Sequence, residues 1–196
     1  MLTSFLNRWN QVPKPFKIFF FRALILLVFW KTIYLAFLLP MGVPDTALTK
    51  SIGVQTSNTL NVFTNTKDFS SNSKVVTYST ASGVQSKTQQ AIYYHGYNIV
   101  SIEDACNGLE LGVLYIGFLL ALPAKINRKI TFTLVGILVI YLVNVLRCVG
   151  ITLVCIYYPK HADFTHHYIF TFVVYAFIIW LWLIYTKKLT SYATSE

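Results

Sequence analysis

The segment Asp104-Ala105-Cys106-Asn107-Gly108-Leu109-Glu110 joins a long polar stretch to an apolar run. It places one thiol, flanked by small and polar residues, at the point where the chain becomes hydrophobic. Two other polar outliers, Arg147 and the pair His166-His167, lie in or beside the next two apolar segments. Whether these groups meet depends on how the apolar segments are arranged.

The composition is typical of a membrane protein. Of the 196 residues, 55% are hydrophobic and only 12% are charged, and the mean hydropathy is +0.56. An ordinary soluble domain has about 25% charged residues. The net charge of +9 could suggest nucleic-acid binding, but no basic patch with interleaved aromatic residues occurs. Much of the positive charge lies at the ends of apolar runs, so we expect a lipid bilayer as partner and no nucleic acid.

Four apolar segments are predicted to be membrane helices, because about 20 apolar residues span a bilayer. They cover about residues 18–40, 106–123, 130–151 and 167–185. The predicted fold is an all-α polytopic membrane protein, a bundle of about four transmembrane helices with a small β-containing extracytoplasmic insert.

The chain is accordingly divided into four parts. We assign residues 1–40 to a cytoplasmic lead-in and the first helix, 41–104 to an extracytoplasmic polar insert, 105–186 to helices two to four, and 187–196 to a cytoplasmic tail.

The insert is rich in Ser, Thr, Asn and Gln, and it is too long for a loop without structure of its own. Residues 75–80 and 91–94 read as short strands, with turn-forming residues at Ala81-Ser82-Gly83. We therefore expect a β-rich cap over the bundle.

Basic residues in the short flanks set the orientation. If four helices alternate, one side of the membrane receives Arg8, Lys14, Lys17, Lys125, Arg128, Lys129, Lys187 and Lys188. The opposite short connection carries only Lys160, so both termini are predicted to be cytoplasmic. Lys31 falls near mid-depth, where a cation costs about 2.5–3.5 kcal/mol on insertion scales. It should therefore face the bundle, a water-filled cleft or an acid.

This topology brings the polar outliers to one outer layer. Cys106 begins the second helix, and Glu110 follows one turn further in. Arg147 falls about one turn below the outer surface, counting roughly 20 residues per crossing. His166 and His167 lie at the mouth of the fourth helix. A thiol, a guanidinium and an imidazole at one depth suggest cysteine-based acyl transfer, since a cation or an imidazole nearby favours the reactive thiolate.

Each of these residues has a structural alternative. Arg147 could pair with Glu110 as a link between helices. Asn144, one turn before Arg147, could orient the guanidinium or bond across helices. A zinc site from Cys106, His161, His166 and His167 matches no standard ligand spacing, so we expect no metal and no cofactor.

The motifs Ala105-Cys106-Asn107-Gly108-Leu109 and Asn144-Val145-Leu146-Arg147, followed by a His that opens the next span, resemble the exosortase/archaeosortase family of membrane enzymes. The resemblance implies that Cys106 is the nucleophile and that Arg147 stabilises the thiolate and the oxyanion. It implies a histidine as acid and base, and His167 fits the family's His-x-x-x-small spacing, with Thr171 four residues on, better than His166. Asn107 stands where many members have Ser.

The resemblance also implies the biology. The substrate would be an exported protein whose C-terminal tail has a short motif, a membrane helix and a basic cluster. It would be cleaved outside a bacterial inner membrane through a thioester and transferred to a surface acceptor, often in connection with exopolysaccharide production. The alternative is a non-enzymatic membrane subunit of a polysaccharide-export or secretion complex that binds through its insert. The acceptor, the choice between hydrolysis and transfer, and the oligomeric state stay open.

Overall fold

The structure is a computed structural model that describes residues 13–80 and 83–193, with side chains described except at 78–86 and 188–193. Helix α1, Lys14–Ile33, continues through a π-helical turn at Tyr34–Leu38 and a last α-helical turn at Leu39–Met41. The other helices are α2 (Asp45–Thr64), α3 (Leu109–Ala121), α4 (Ile126–Tyr157) and α5 (Thr171–Ala193). The strands are β1 (Phe69–Thr80), β2 (Gly83–Tyr94) and β3 (Tyr97–Ile102).

Three helical segments within these ranges are long and apolar enough to cross a membrane. They are Lys14–Met41, Ile126–Tyr157 and Pro159–Lys187. The expected second span is shorter than predicted, because a 3₁₀ turn at Asp104–Cys106 and a left-handed Gly108, with φ of 82°, use up its first residues. Helix α3 therefore has only 13 residues, about 20 Å of helix. Three spans are seen by length, and a fourth is not confirmed.

Helix α3 nevertheless runs antiparallel to α1 along most of its length. Lys31 Nζ and Glu110 Oε1 pair at 2.8 Å at the end of the bundle nearest the insert, the insert end. At the opposite end, the far end, the rings of Phe19 and Phe118 meet edge to face with centroids 5.6 Å apart. The acid expected for Lys31 is therefore Glu110.

Two apolar cores hold the chain together. The core at the far end joins α3, α4 and α5 through Tyr115, Leu119, Ile140, Val174, Ile178, Leu181 and Tyr185. Here α3 and α4 approach closely, because Gly136 lies against the ring of Tyr115, where a Cβ would collide with it. The Tyr115 hydroxyl donates a hydrogen bond to the carbonyl oxygen of Phe132 at 3.0 Å, which satisfies a polar group buried in an apolar site.

The insert contains the expected β-structure as a three-stranded antiparallel sheet in the order β1-β2-β3. Both predicted strands are present and longer than expected, and the first two residues of the predicted turn, Ala81 and Ser82, lie outside the described residues. The 20-residue helix α2 was not predicted, so the expectation of a β-rich insert was incomplete. Leu48, Ile52 and Leu60 stand at helical spacing, and Asn65 in the left-handed conformation, with φ of 52°, ends the helix.

The second core joins the insert to one end of α4. It consists of Ile52, Leu60, Phe69, Ile92, Ile102, Val145, Cys148 and Val149. Helix α4 has 32 residues, about 48 Å of helix, whereas a hydrocarbon core is about 30 Å thick. The part of α4 beyond the bundle is therefore covered by the insert, and Arg147 lies at this junction.

Candidate active site

Cys106, Arg147 and His166 come together at the insert end of the bundle. Cys106 Sγ lies 3.8 Å from Arg147 Nη2 and 3.9 Å from His166 Nε2. Arg147 Nη2 lies 3.1 Å from His166 Nε2, so the three groups form a closed triangle. All three side chains are half-buried. The predicted meeting of thiol, guanidinium and imidazole is present in the geometry, with three separate segments each supplying one group.

The histidine in this triangle is His166, whereas the sequence spacing favoured His167. His167 is exposed, and its Nδ1 lies 3.1 Å from Asp163 Oδ1 and 3.0 Å from the Asp163 carbonyl oxygen. The reason lies in a π-helical turn at Thr165–Phe170, which adds a residue to the turn and rotates the faces before and after it. The Thr171 side chain adds a hydrogen bond here, because its Oγ1 donates to the carbonyl oxygen of His166 at 3.3 Å.

The hydrogen bond from Arg147 defines the state of the His166 ring. A guanidinium has only donors, so Nε2 must accept and must carry a lone pair. The neutral ring then has its proton on Nδ1. The same Nε2 atom faces Cys106 Sγ, so it is the atom placed to take the thiol proton.

The backbone around the cysteine is held by Asn144. Asn144 is fully buried, and its Nδ2 donates to the Cys106 carbonyl oxygen at 2.9 Å. The Cys106 N–H donates in turn to the Glu103 carbonyl oxygen at 2.8 Å. Of the two roles considered for Asn144, the contact across helices is the one observed. Asn144 also lies in van der Waals contact with Gly108, whose φ of 82° is a backbone conformation that favours glycine.

Asn107 links the cysteine segment to the insert. It is 3% exposed, and its Nδ2 donates to Asp45 Oδ1 at 2.7 Å, while its Oδ1 accepts from the Leu109 N–H at 2.8 Å. Asp45, also 3% exposed, accepts a second bond from the Tyr34 hydroxyl at 2.8 Å. Sequence reasoning missed Tyr34 and Asp45, although an acid directly after Pro44 at the end of the first apolar run was a usable signal.

The acidic residues near the thiol all have other partners. Glu110 pairs with Lys31 at 2.8 Å rather than with Arg147. Asp104 accepts from Thr49 Oγ1 at 2.8 Å. Glu103 Oε1 accepts from Gln89 Nε2 at 2.7 Å. These contacts give each carboxylate a partner other than Arg147, and Arg147 Nη2 contacts Cys106 and His166.

The possible zinc ligands are not clustered. Within residues 13–80 and 83–193, no group of three or more His, Cys, Asp or Glu side chains could hold a metal ion. His161 is exposed in a 3₁₀ turn at Pro159–His161, apart from the triangle. The donor set at Cys106 is one thiol and one imidazole beside a guanidinium, which suits proton transfer better than metal binding.

A family model described as transmembrane exosortase (Exosortase_EpsH) matches residues 13–184. No curated protein and no solved structure matches the chain. The family match covers the first helix, the insert and all three segments that supply the triangle. Together with the apolar helices, it shows that this is a membrane protein, and the chain belongs to the exosortase family.

Proposed function

We propose that the protein is a membrane-embedded cysteine transpeptidase that cleaves the C-terminal sorting tail of exported proteins. The observation that carries the proposal is the triangle of Cys106, Arg147 and His166. Three segments distant in sequence place a nucleophile, a cation and a proton acceptor within 4 Å of one another. This is the arrangement that cysteine acyl transfer needs.

The first half-reaction forms a thioester. Arg147 first releases its hydrogen bond to His166 Nε2, the Cys106 thiol then gives its proton to that nitrogen, and Sγ attacks the substrate carbonyl carbon. Arg147 stabilises first the thiolate and then the oxyanion of the tetrahedral intermediate. When the C–N bond breaks, the imidazolium returns the proton to the leaving amine. The 3.9 Å between sulfur and nitrogen belongs to the substrate-free site, where such contacts are commonly long.

The second half-reaction releases the protein. An amine or hydroxyl of the acceptor gives its proton to His166 and attacks the thioester carbonyl, and Sγ leaves and regains a proton. Water in the same position would give a free acid. We place the reaction on the outer side of a bacterial inner membrane with both termini cytoplasmic, which the basic residues at the far end of the helices support.

The test is to trap the thioester in cells. The full-length protein is isolated under denaturing, non-reducing conditions, and Cys106 is searched by mass spectrometry for a peptide adduct that neutral hydroxylamine releases. We expect the adduct on the wild type and its loss in Cys106→Ala, together with uncut tails on exported proteins. Cys155→Ala, which removes another half-buried thiol, is the matched control and should keep the adduct.

The alternative, a non-enzymatic subunit of an export complex, gives the opposite result. Cys106→Ala would then be silent, and the wild-type protein, present at its normal level, would carry no adduct. That outcome would overturn the transpeptidase proposal.

A further inference from the structure

A large apolar groove opens beside the triangle. It has a volume of about 520 Å³ and lies between α1, α3 and α5. Lys31, Glu110 and Arg147 line it at the insert end. At the far end it is lined by Phe118 and Trp182, whose rings stack with centroids 4.2 Å apart. The groove thus extends along the helices from Arg147, the group of the triangle that lines it.

The residues that line the groove are arranged along the helices. Helix α1 contributes Phe19, Ala23, Leu26, Leu27 and Trp30, which stand at intervals of three and four and so share one face of the helix. From Phe19 to Lys31 the groove extends 12 residues, about 18 Å or three helical turns. A mainly apolar groove of this length suits an elongated occupant aligned with the helices.

The side of the groove on α3 carries the apolar side chains of Leu111, Val113, Leu114 and Phe118, with Gly117 among them. A Cβ added at Gly117 would meet no atom within 4 Å, so there is open space at this position. A small residue in a membrane interface lets another helix approach closely. No residue of Lys14–Ile33 is buried, so the other elements cover α1 only in part.

The groove adjoins the nucleophile. Cys106 is not itself a lining residue, but Ala105 and Gly108, one residue before it and two after it, line the groove, and Arg147 both contacts Sγ and lines it. A peptide whose carbonyl carbon lies at Sγ therefore has one flank beside an apolar groove. A chain that must enter the bilayer there can bury its apolar side chains at once.

We infer that this groove holds the first three turns of the substrate's membrane helix, the part that follows the scissile bond. The inference rests on the proposed function and adds the place where the helix is held. Residues of α1, α3 and α5 in the groove then determine which tails are positioned at Cys106. Phospholipid chains are the competing occupant, and the test separates the two.

The first experiment is site-specific photocross-linking. Leu27 and Val28 are adjacent on α1 and almost equally exposed, at 52% and 55%, but only Leu27 lines the groove. A photoreactive amino acid is placed at each position in the full-length Cys106→Ala protein, which binds a tail without cutting it. The probe is the protein identified as the adduct on wild-type Cys106. We expect cross-links from position 27 to the apolar segment in the tail of that substrate protein, and only background cross-linking from position 28.

Two results would overturn the inference. Equal cross-linking from both positions, or cross-linking of position 27 to lipid alone, would show that the helix is not held in the groove. A missing adduct on wild-type Cys106 would instead remove the proposed function, and with it this occupant. The two failures are therefore distinguishable.

The second experiment fills the groove. Leu27→Trp adds bulk inside it and competes with the occupant, so we expect tail cleavage to fall at least about tenfold, a loss of about 1.4 kcal/mol or more. Val28→Trp adds the same ring outside and should stay within about twofold of wild type. Gly117→Leu blocks the groove from α3, where space for a side chain exists, and guards against a folding defect at position 27. Normal cleavage by both groove variants would contradict the inference.

Discussion

At the scale of single residues, the two adjacent histidines have different environments. His166 Nε2 faces the thiol and the guanidinium, whereas His167 is turned toward Asp163 in solvent. We expect His166→Ala to lower tail cleavage by about 10²–10⁴-fold, the usual contribution of a general acid and base. His167→Ala is the matched control and should stay within a few-fold of wild type. Cleavage is measured as the ratio of cut to uncut tail. A larger loss of cleavage in His167→Ala than in His166→Ala would favour His167, the histidine chosen from the sequence spacing.

The contact between Cys106 and Arg147 could be predicted from the sequence because both are polar exceptions at the edge of apolar runs. A thiol beside Asn107 and Gly108, and a cation inside a span, are visible without any structure. The histidine could not be chosen this way. Which of two neighbouring side chains faces the core depends on the π-helical turn, which is a product of packing and leaves no simple spacing in the sequence.

At the scale of elements, the hydrogen bonds of Asp45 and Asn107 hold the start of α2 against the cysteine segment. Asn107→Asp would place two carboxylates in a buried contact, and Asp45→Asn would leave one bond of the network unmade. We expect each to lower the thermal unfolding midpoint of the purified protein. The double variant exchanges donor and acceptor and should recover most of the loss, with a coupling of about 1–3 kcal/mol.

The control for that cycle pairs Asp45→Asn with Asp163→Asn, because Asp163 is 93% exposed and pairs with His167, whereas Asp45 bonds to Tyr34 and Asn107. The destabilisation caused by these two substitutions should be additive. A double variant at positions 45 and 107 that is no more stable than Asn107→Asp would show that the contact does not join the two elements.

Helices and strands could be predicted where the sequence is continuously apolar, and they were harder to predict where apolar and polar residues are mixed. The spans at Lys14–Met41, Ile126–Tyr157 and Pro159–Lys187 follow from hydrophobic length. Helix α2 was hidden because Thr and Ser fill its buried face beside Ile52 and Leu60, so its apolar period is incomplete. The sheet was expected from β-branched runs, but its extent depends on cross-strand pairing rather than on local composition.

At the scale of the whole molecule, the short helix α3 decides the topology. Its 13 residues span about 20 Å, less than a hydrocarbon core of about 30 Å. Yet it reaches from the Lys31–Glu110 pair at the insert end to the Phe19–Phe118 contact at the far end. If it crosses, the insert and the turn between α3 and α4 lie on opposite sides of the membrane, as the basic residues of that turn predict.

Labelling of single cysteines tests this arrangement. In a protein lacking its own three cysteines, Val62→Cys places a thiol on α2, where Val62 is 81% exposed, and Lys125→Cys places one in the exposed turn before α4. A membrane-impermeant maleimide added to intact cells should label position 62 at once and position 125 only after the cells are opened. Because both sites are exposed, a difference in their labelling shows that they lie on opposite sides of the membrane and is not caused by burial in the protein. Labelling of both positions in intact cells would mean that α3 does not cross the membrane. Labelling of position 125 alone would mean that the orientation is the opposite of the predicted one and that Cys106 lies on the cytoplasmic side.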